Sequence, residues 1–415
     1  MEVLNKARLA KGASRELGIL SSIQKDTALE MMAKALEDNI QGLIAENELD
    51  VSMAVKNGRP KALIDRLVLN EERIKAMAEG LRVIKELPDP VGEVISQWKR
   101  PNGMKIGQQR VPLGVVSIIY ESRPNVTADA IGLCIKTGNA VVLRGSSEAI
   151  HSNKAIVEVM SGAAYGAGIP KGAIGLIEDT RRESVGELVR LNGLIDVVVP
   201  RGGSGLINAV TENATVPVIE TGIGNCHVYI DGECDLDMAA EIAFNAKVQR
   251  PGVCNAAETL LIHEKTAPAI LPGIVEDLKK SDVEIRGCKR TMAIVPEILP
   301  ADSGDWDTEY LDYILAVKVV DSVDDAIGHI NKHGSGHSEA IVTSNYYNAE
   351  KFLDQVDAAA VYVNVSTRFT DGFEFGFGAE LGISTQKLHA RGPMGLKELT
   401  TTKYIIRGSG QIRGN

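Results

Sequence analysis

Cysteine and histidine are scarce in this chain, and neither is spaced for a metal site. The 415 residues include five cysteines and seven histidines, with no CxxC pair and no HExxH motif. These absences exclude a zinc knuckle, a thioredoxin-type motif and a zinc-protease helix, and they predict that no metal is bound. One local cluster, His329, His333 and His337, has the spacing of a helix face. Gly334 is expected to end that helix before His337.

Long apolar runs and an excess of basic charge are also missing. No apolar stretch approaches the roughly 20 residues needed to cross a bilayer, and the N-terminus lacks a signal-peptide pattern. The chain carries 55 acidic and 45 basic residues, a net charge of −10, whereas nucleic-acid-binding domains are usually basic. We therefore expect a cytoplasmic protein that contacts neither membrane nor nucleic acid.

The composition is that of an ordinary globular protein, with 44% hydrophobic and 24% charged residues. This length predicts two or three domains. The first 85 or so residues read as helices, because apolar residues recur at the helical period from Leu29 to Leu43 and Asp26 can cap that helix. Residues 98–109 predict a hairpin or an exposed arm, and residues 401–407 predict a final short strand.

From residue 111 onward, short aliphatic runs alternate with helical stretches, which predicts βαβ units and a parallel sheet. The first series ends near residue 232 and a second begins at residue 258. Ser322 and Asp325 resemble a capping box in that second series. The predicted strands of the first series lie at residues 113–119, 140–144, 173–178, 194–199, 216–220 and 226–231. Those of the second series lie at residues 258–263, 312–320, 339–343 and 360–365.

Glycine signals for a bound phosphate are weak, because neither GxGxxG nor a Walker A sequence occurs. Residues 201–205 (RGGSG) follow a predicted strand and open a predicted helix. The backbone N–H groups of Gly203 and Ser204 at that helix start would suit a phosphate. An ordinary strand-to-helix turn explains the same residues equally well.

Cys254 lies in a predicted loop between a helix and a strand, after proline and glycine. A thiol with an ordinary pKa near 8.5 needs a stabilised thiolate to act as a nucleophile, and Arg250 with nearby backbone amides would provide that stabilisation. From the residues alone, a small buried core cysteine is the other interpretation.

Several motifs together resemble the aldehyde dehydrogenase superfamily. The matching segments are residues 111–116 (VPLGVV), 123–125 (RPN), 137–144 (TGNAVVLR), 220–222 (ETG), 251–254 (PGVC) and 309–311 (EYL). The resemblance is closer to one branch, the γ-glutamyl phosphate reductase family. Its signatures are residues 120–127 (YESRPNVT), 333–340 (HGSGHSEA), 365–372 (VSTRFTDG) and 387–395 (KLHARGPMG), which extend the resemblance over essentially the whole chain.

This resemblance implies an α/β fold with a Rossmann-like cofactor domain, a smaller α/β catalytic domain and an oligomerisation hairpin. The implied cofactor-binding domain comprises residues 1–98 and 111–232, and the catalytic domain residues 233–366. A return segment, residues 367–398, is expected along the domain cleft. Residues 99–110 and 399–415 are expected to be oligomerisation elements of a homo-oligomer.

The resemblance also implies NADPH-dependent reduction of L-glutamate 5-phosphate to L-glutamate 5-semialdehyde in proline biosynthesis. Cys254 is then the nucleophile that forms a thioester. Asn125 and the Cys254 backbone N–H would form the oxyanion hole. Glu309 would hold the nicotinamide ribose, and Glu220 has no certain role. The glutamate 5-kinase that makes the substrate must be a separate protein and is a possible partner.

The expected cofactor is NADPH rather than NADH because of two departures from the superfamily pattern. Arg144 replaces a usual lysine, and Ser147 stands where NAD-preferring members often have glutamate. Losing the carboxylate and gaining a guanidinium suits a 2′-phosphate. The turn at Gly203 and Ser204 departs from the usual GSTxxG, so its contacts with the cofactor phosphates are a weaker expectation.

The substrate brings a carboxylate and an ammonium group as well as its acyl phosphate. Arg368 is the candidate for the carboxylate, because a guanidinium binds it through two parallel hydrogen bonds. Its alternative is a structural pair with Asp371. Glu121 or Glu339 would meet the ammonium, and Ser122 or His337 would add hydrogen bonds. Two other functions stay open: a hydrolytic aldehyde dehydrogenase, and a nucleotide-binding protein without catalysis.

Overall fold

The computed structural model describes residues 1–413, with the side chain of every one except Ala62. The chain divides into two compact units. Unit 1 comprises Met1–Thr221, Gly376–Gly382 and the chain from Met394 onward, and unit 2 comprises Gly222–Phe375 and Ile383–Pro393. The boundary therefore falls at residue 221, ahead of the predicted position near residue 232.

Unit 1 begins with helices, as the apolar period predicts. Its helices are α1 (Glu2–Leu17), α2 (Ser22–Asp38), α3 (Ile40–Lys56), α4 (Lys61–Leu67), α5 (Glu71–Glu86), α6 (Asn125–Lys136), α7 (Ile150–Gly166), α8 (Arg182–Leu188) and α9 (Ser204–Asn213). The predicted cap of α2 is wrong. Ser21 and Gln24 form its capping box, whereas Asp26 lies inside the helix and pairs with the buried Lys136 at 2.6 Å.

A four-stranded parallel sheet forms the centre of unit 1. Its strands are β3 (Val115–Tyr120), β4 (Ala140–Arg144), β5 (Ile174–Leu176) and β6 (Val197–Arg201), which follow the antiparallel strands β1 (Val94–Lys99) and β2 (Lys105–Pro112). The order β5-β4-β3-β6 means that the chain reverses direction across the sheet beside β3. Residues 216–220, predicted as a strand, form only a bridge from Val218 to Val198.

Unit 2 contains a seven-stranded parallel sheet. Its strands are β7 (Cys226–Ile230), β8 (Ala257–His263), β9 (Glu284–Gly287), β10 (Leu299–Pro300), β11 (Ile314–Val320), β12 (Ser338–Val342) and β13 (Ala360–Val363), followed by the antiparallel pair β14 (Ile383–Ser384) and β15 (Gly392–Pro393). The strand order in the large sheet is β10-β9-β11-β8-β7-β12-β13. We expected β7 in the first series. It pairs instead with β8 and β12.

The helices of unit 2 cover this sheet and bury an aliphatic core. They are α10 (Leu236–Val248), α11 (Ala267–Lys280), α12 (Lys289–Ile294), α13 (Val323–His333) and α14 (Tyr346–Gln355). Ser322 caps α13 by accepting the Asp325 N–H at 3.2 Å, as predicted. The short elements β9 and α12 were not predicted, because four to six residues are too few to show a period.

A third sheet belongs to unit 1 and confirms the predicted hairpin and final strand. Strands β1 and β2 form an antiparallel hairpin, and β16 (Thr400–Arg407) pairs with β2. Apolar and aromatic side chains stand exposed on it, among them Trp98, Tyr404 and Ile406. The last two residues of the predicted oligomerisation element 399–415 lie outside the described residues.

The predicted return segment, residues 367–398, is divided between the units. Unit 2 holds its parts 367–375 and 383–393, and unit 1 holds its parts 376–382 and 394–398. It contains little regular structure beyond the 3₁₀ turn Thr367–Phe369 and the two-residue strands β14 and β15. Its role along a domain cleft stays a prediction.

Candidate active site

The candidate nucleophile, Cys254, lies in unit 2 in the loop that joins α10 to β8. The side chain is partly exposed and forms no disulfide. A loop between a half-buried helix and a buried strand holds such a residue at the surface, where a ligand has access. This position fits a nucleophile better than the alternative of a small core residue.

The backbone of this loop packs so closely against Gly224 that only glycine fits at position 224. A Cβ built on Gly224 would overlap the carbonyl oxygen of Cys254. The N–H of Gly224 donates to the Glu309 carboxylate at 2.7 Å. Glu309 therefore fixes the segment that contacts the nucleophile's peptide group. Its predicted contact with the nicotinamide ribose stays a prediction, for which its second carboxylate oxygen is the available group.

A second buried group supports the same loop from β7. The Cys226 thiol donates to the Cys254 carbonyl oxygen at 3.1 Å, and His337 Nδ1 lies 3.6 Å from that thiol. Burial lowers the pKa of His337 to about 3, so its imidazole is neutral at physiological pH. His337 is fully buried and also bonds Ser338 at 2.8 Å. The structure thus places His337 behind the loop and gives no support to its predicted substrate contact.

Glu339, the alternative partner for the substrate ammonium, is also fully buried. Its carboxylate accepts the backbone N–H of His227 at 2.7 Å and lies 3.0 Å from His227 Nδ1. Burial raises the pKa of Glu339, with His227 acting in the opposite direction. This carboxylate belongs to the interior of unit 2 and is not open to a ligand.

Arg368, the candidate for the substrate carboxylate, is half-buried close to the nucleophile loop. Its Nε donates to Gln249 Oε1 at 2.9 Å. Burial lowers the pKa of Arg368, the charge of Arg250 lowers it further, and the Cys254 sulfur acts in the opposite direction. Arg368 and Cys254 are therefore within electrostatic reach of each other, and so are Arg368 and Arg250.

The alternative partner of Arg368, Asp371, acts on it through its charge, which raises the pKa of Arg368 against the effect of burial, but not through a close ion pair within residues 1–413. Among the ion pairs of residues 1–413, none includes Arg368. Asp371 instead accepts the backbone N–H groups of Phe373 and Glu374 through Oδ1. Arg368 also lines a pocket of about 740 Å³ on unit 2, together with Glu241, Ile242, Asn245, Gln249, Asn364, Val365, Ser366, Phe369, Asp371 and Glu374. That volume suits a small metabolite.

The loops of unit 1 fit a nucleotide at the point where the strand order reverses. In open α/β sheets, ligands bind outside the carboxyl ends of strands at such a point. Here the loops after β3 and β6 meet there, and α9 begins with Gly203 as its N-cap. Glu121, predicted to bind substrate, reaches across and accepts the Gly203 N–H at 3.2 Å. A cofactor phosphate at Gly203 and Ser204 would therefore replace the Glu121 carboxylate.

Arg144 ends β4 and is almost fully buried. Its guanidinium donates to Ser184 Oγ at 3.3 Å and to the carbonyl oxygens of Gly145 (3.1 Å), Thr180 (2.6 Å) and Arg181 (2.9 Å). An arginine has five N–H donors, so these four bonds leave one. Arg144 therefore cannot offer a free two-pronged fork to a 2′-phosphate in this arrangement, and its main contacts hold the loop at residues 179–181.

Ser147 is exposed at the start of a 3₁₀ turn, where a ribose or phosphate would find no carboxylate from that residue. The acid beside it, Glu148, is already paired. It accepts the Ser122 hydroxyl at 2.6 Å and pairs with Arg59 at 2.6 Å. Ser122, predicted to bind substrate, is buried in this contact and lies 3.0 Å from Ser146 Oγ.

Asn125 stands exposed in the first turn of α6, in unit 1. Its side-chain amide donates to Asp129 one turn later, at 3.3 Å. Burial raises the pKa of Asp129 to about 6, although the Asn125 bond and the Arg201 charge lower it. Cys254 belongs to unit 2, and the role of Asn125 as an oxyanion donor stays a prediction.

Sequence reasoning singled out Cys254 and Arg368, whose roles stay predictions, but missed the residues that hold the loop. Gly224, Cys226 and Gln249 have no motif of their own, and each acts through a contact with a residue distant in sequence. The sequence did contain a signal for one pair of residues that supports the loop. Lys247 and Glu258 flank the Cys254 loop in otherwise apolar surroundings, where opposite charges usually pair.

Within residues 1–413, no three or more histidine, cysteine or acidic residues are grouped as a metal site. His329 and His333 lie on α13 with ring centres 4.6 Å apart, and the helix ends before His337, as predicted. No helix in the described part of the chain is both long and apolar enough to span a membrane.

Comparison with known proteins places this geometry in a family. The aldehyde dehydrogenase family model matches residues 2–298 and 293–405. Two γ-glutamyl phosphate reductases, from Carboxydothermus hydrogenoformans and Moorella thermoacetica, are each 62% identical over 413 residues. The match covers 100% of this chain and 100% and 99% of theirs.

Solved structures agree. The crystal structure of γ-glutamyl phosphate reductase from Thermotoga maritima has a TM-score of 0.98 and 50% identity, with 100% of both chains covered. An acetylating aldehyde dehydrogenase from Geobacillus thermoglucosidasius has a TM-score of 0.69 and 19% identity, covering 100% of this chain and 98% of that one, and shows the shared fold alone. The chain therefore belongs to the aldehyde dehydrogenase family and, within it, to the γ-glutamyl phosphate reductases.

Proposed function

We propose that this protein reduces L-glutamate 5-phosphate to L-glutamate 5-semialdehyde with NADPH and releases phosphate, a step of proline biosynthesis. One observation supports this most. A partly exposed cysteine is held in a loop fixed by Gly224 and Cys226, with the guanidinium of Arg368 in electrostatic reach. Family membership gives the reaction, and this loop gives a group able to perform it.

The chemistry proposed for Cys254 is covalent catalysis in two stages. The thiolate attacks the acyl carbon, the bond from that carbon to the phosphate oxygen breaks, and phosphate leaves. The product of this stage is a thioester on Cys254. NADPH, when bound, supplies a hydride to the thioester carbon. The carbon–sulfur bond then breaks, the aldehyde is released and the Cys254 thiolate is restored.

Other residues of unit 2 would prepare this attack. The positive charges of Arg368 and Arg250 favour the thiolate, since an opposite charge nearby stabilises the ionised form. Arg368 would also bind the substrate's α-carboxylate from the wall of the 740 Å³ pocket. The fixed loop backbone presents the Cys254 N–H to the oxygen that becomes negative after attack.

The preference for NADPH over NADH is supported by Ser147 and its surroundings rather than by Arg144. No carboxylate stands at position 147 to bind ribose hydroxyls, and Arg59 pairs with the neighbouring Glu148. A 2′-phosphate near Ser147 would then meet little negative charge. The Arg144 guanidinium already donates to carbonyl oxygens of the loop at residues 179–181. It would therefore affect cofactor binding only indirectly, by holding that loop in place.

The experiment follows the reverse reaction, with glutamate 5-semialdehyde, NADP⁺ and varied phosphate. We expect NADPH to form steadily only when phosphate is present, and more slowly with NAD⁺. Cys254→Ser should abolish turnover because a hydroxyl is a far weaker nucleophile than a thiolate. Cys234→Ser, at another partly exposed cysteine, should keep it. Steady turnover without phosphate would instead identify a hydrolytic aldehyde dehydrogenase.

A further inference from the structure

A buried ion pair closes the base of the nucleophile loop. Lys247 lies in the last turn of α10, and Glu258 is the second residue of β8, so the Cys254 loop lies between them. Lys247 Nζ and Glu258 Oε2 are 2.5 Å apart, and both side chains are fully buried. The pair therefore ties the two ends of the loop together from inside unit 2.

The same carboxylate holds a second part of the site. Glu258 Oε1 accepts the backbone N–H of Leu311 at 3.1 Å. Leu311 has φ of +53°, in the left-handed region that is sterically unfavourable for a residue other than glycine. Such a conformation persists only where surrounding contacts impose it. Glu258 is one such contact, and it fixes the turn that carries Glu309 two residues earlier.

These contacts form a closed circuit that passes through the backbone of Cys254. From Glu258 the circuit runs through Leu311 to Glu309, which holds the Gly224 N–H at 2.7 Å. Gly224 packs against the Cys254 carbonyl, and the loop returns to Lys247. One buried pair thus touches both the nucleophile loop and the turn that presents Glu309.

Stability alone does not explain the pair. Desolvation makes a buried ion pair costly, and replacing both partners with apolar residues of similar volume is often neutral or stabilising. Burial lowers the pKa of Lys247 and raises the pKa of Glu258 to about 7. The titratable groups that face the pair are Asp312 and the neutral thiol of Cys226 toward Lys247, and Glu309 toward Glu258. The pair instead fixes the orientation of the Glu258 carboxylate, because each of its two oxygens accepts from one defined donor.

We infer that Lys247 and Glu258 are positioning residues for catalysis, which hold the Cys254 loop and the Glu309 turn in register with each other. They touch neither substrate nor cofactor. Their effect is on the orientation of the thiol, and a displacement of about 1 Å at such a site costs on the order of 100-fold in rate. This inference rests on the proposed role of Cys254.

The test removes both charges at once with Lys247→Met/Glu258→Leu, which avoids leaving one buried charge unpaired. We expect a folded protein with a melting temperature and an NADPH dissociation constant close to wild type. We expect kcat to fall by roughly 10- to 100-fold with little change in KM for glutamate 5-semialdehyde. Alkylation of Cys254 by iodoacetamide should also change in its rate and its pH profile.

The matched control is Lys25→Met/Asp89→Asn, which removes an almost fully buried ion pair of unit 1 and should leave kcat and the alkylation profile unchanged. If the double variant does not accumulate, Lys247→Arg keeps the charge with altered geometry, and the same fall in kcat is expected. A kcat and alkylation profile equal to wild type in the folded variant would overturn the inference. So would a loss of kcat that only parallels loss of melting temperature and NADPH binding.

Cys254→Ser is measured in the same series. If that variant keeps turnover, the nucleophile assignment fails, whatever the ion-pair variants do. If it loses turnover while the folded ion-pair variants keep theirs, the positioning role alone is wrong. The two failures are therefore distinguishable.

Discussion

Arg368 is the residue whose surroundings most sharply define a ligand role. It lines the pocket of unit 2, forms no ion pair within residues 1–413 and donates only its Nε to Gln249. Its two terminal nitrogens are the ones that bind a carboxylate in parallel. Arg368→Lys keeps the charge and loses this geometry. We expect a higher KM for glutamate 5-semialdehyde, or a lower kcat, with NADPH affinity unchanged in a binding titration.

The control for Arg368 is Arg290→Lys in the same unit. Arg290 is exposed and pairs with Glu264 and Asp321, so its replacement should leave both kinetic constants at wild-type values. If Arg368→Lys and Arg368→Ala both react like wild type, the substrate carboxylate is bound elsewhere.

Asp129 gives unit 1 a predicted dependence of stability on pH. Its pKa is raised from the ordinary 3.8 to about 6, chiefly by burial. An acid with a raised folded pKa contributes stability that is complete below pH 3.8 and is lost as the pH rises through about 6. Asp129→Asn is neutral throughout. We expect it to melt higher than wild type at about pH 8, by on the order of 1–2 kcal/mol in stability, and nearly equally at about pH 3.5.

Thermal melting of the two proteins across this pH range measures the difference directly. Asp277→Asn is the matched control, because Asp277 is an exposed carboxylate of unit 2 and its replacement should give a difference that does not grow between about pH 4 and pH 6. An equal melting temperature for Asp129→Asn and wild type at about pH 8 would contradict this prediction, because it would show that ionised Asp129 does not destabilise the folded protein.

Single residues differ in how far the sequence predicts their role. Cys254 and Arg368 were chosen because short motifs carry them, and both side chains are partly exposed, although their roles stay predictions. The predicted roles of Arg144 and His337 depend on what surrounds them. Carbonyl groups from residues 180 and 181 surround Arg144, and the interior of unit 2 surrounds His337. Those neighbours are distant in sequence or set by packing, so no local pattern shows them.

At the level of elements, the loop after α10 depends on the close approach of Gly224. Gly224→Ala would place a Cβ into the Cys254 carbonyl, so either the loop or β7 must move. We expect a large loss of kcat and a lower melting temperature. Gly273→Ala, inside α11 with open space around it, should be neutral or stabilise the helix by about 0.5–1 kcal/mol. Wild-type kcat in Gly224→Ala would show that this contact does not position the nucleophile.

Most helices and strands were predictable from the alternation of apolar runs, because each such run has a clear period. Their partners were less so. Cys226–Ile230 reads as one more strand of the first series, yet it pairs with β8 and β12 in the second sheet. Strand pairing is decided by contacts over long sequence distances. The domain boundary, predicted near residue 232, depended on this pairing and therefore fell about ten residues away.

For the whole molecule, the predicted oligomerisation elements, residues 99–110 and 399–415, contribute β2 and β16 to a sheet that β1 completes. Val94, Trp98, Tyr404 and Ile406 are 40–62% exposed there, and exposed apolar groups of this kind mark association sites. Tyr404→Lys should lower the mass measured by light scattering. Tyr347→Lys, at an 81% exposed tyrosine of unit 2, should not. An unchanged mass for Tyr404→Lys would remove this surface from the account, and contact with glutamate 5-kinase stays a separate prediction.

The central claim is that Cys254 carries the glutamyl group as a thioester that only phosphate removes. The most direct measurement mixes the enzyme with glutamate 5-semialdehyde and NADP⁺ without phosphate, and follows NADPH formation and intact protein mass together. The account predicts a burst of one NADPH per chain, a mass gain of one glutamyl group on the Cys254 peptide, and release of that group when phosphate is added. Continuous NADPH formation without phosphate, or a burst without the Cys254 adduct, would contradict it.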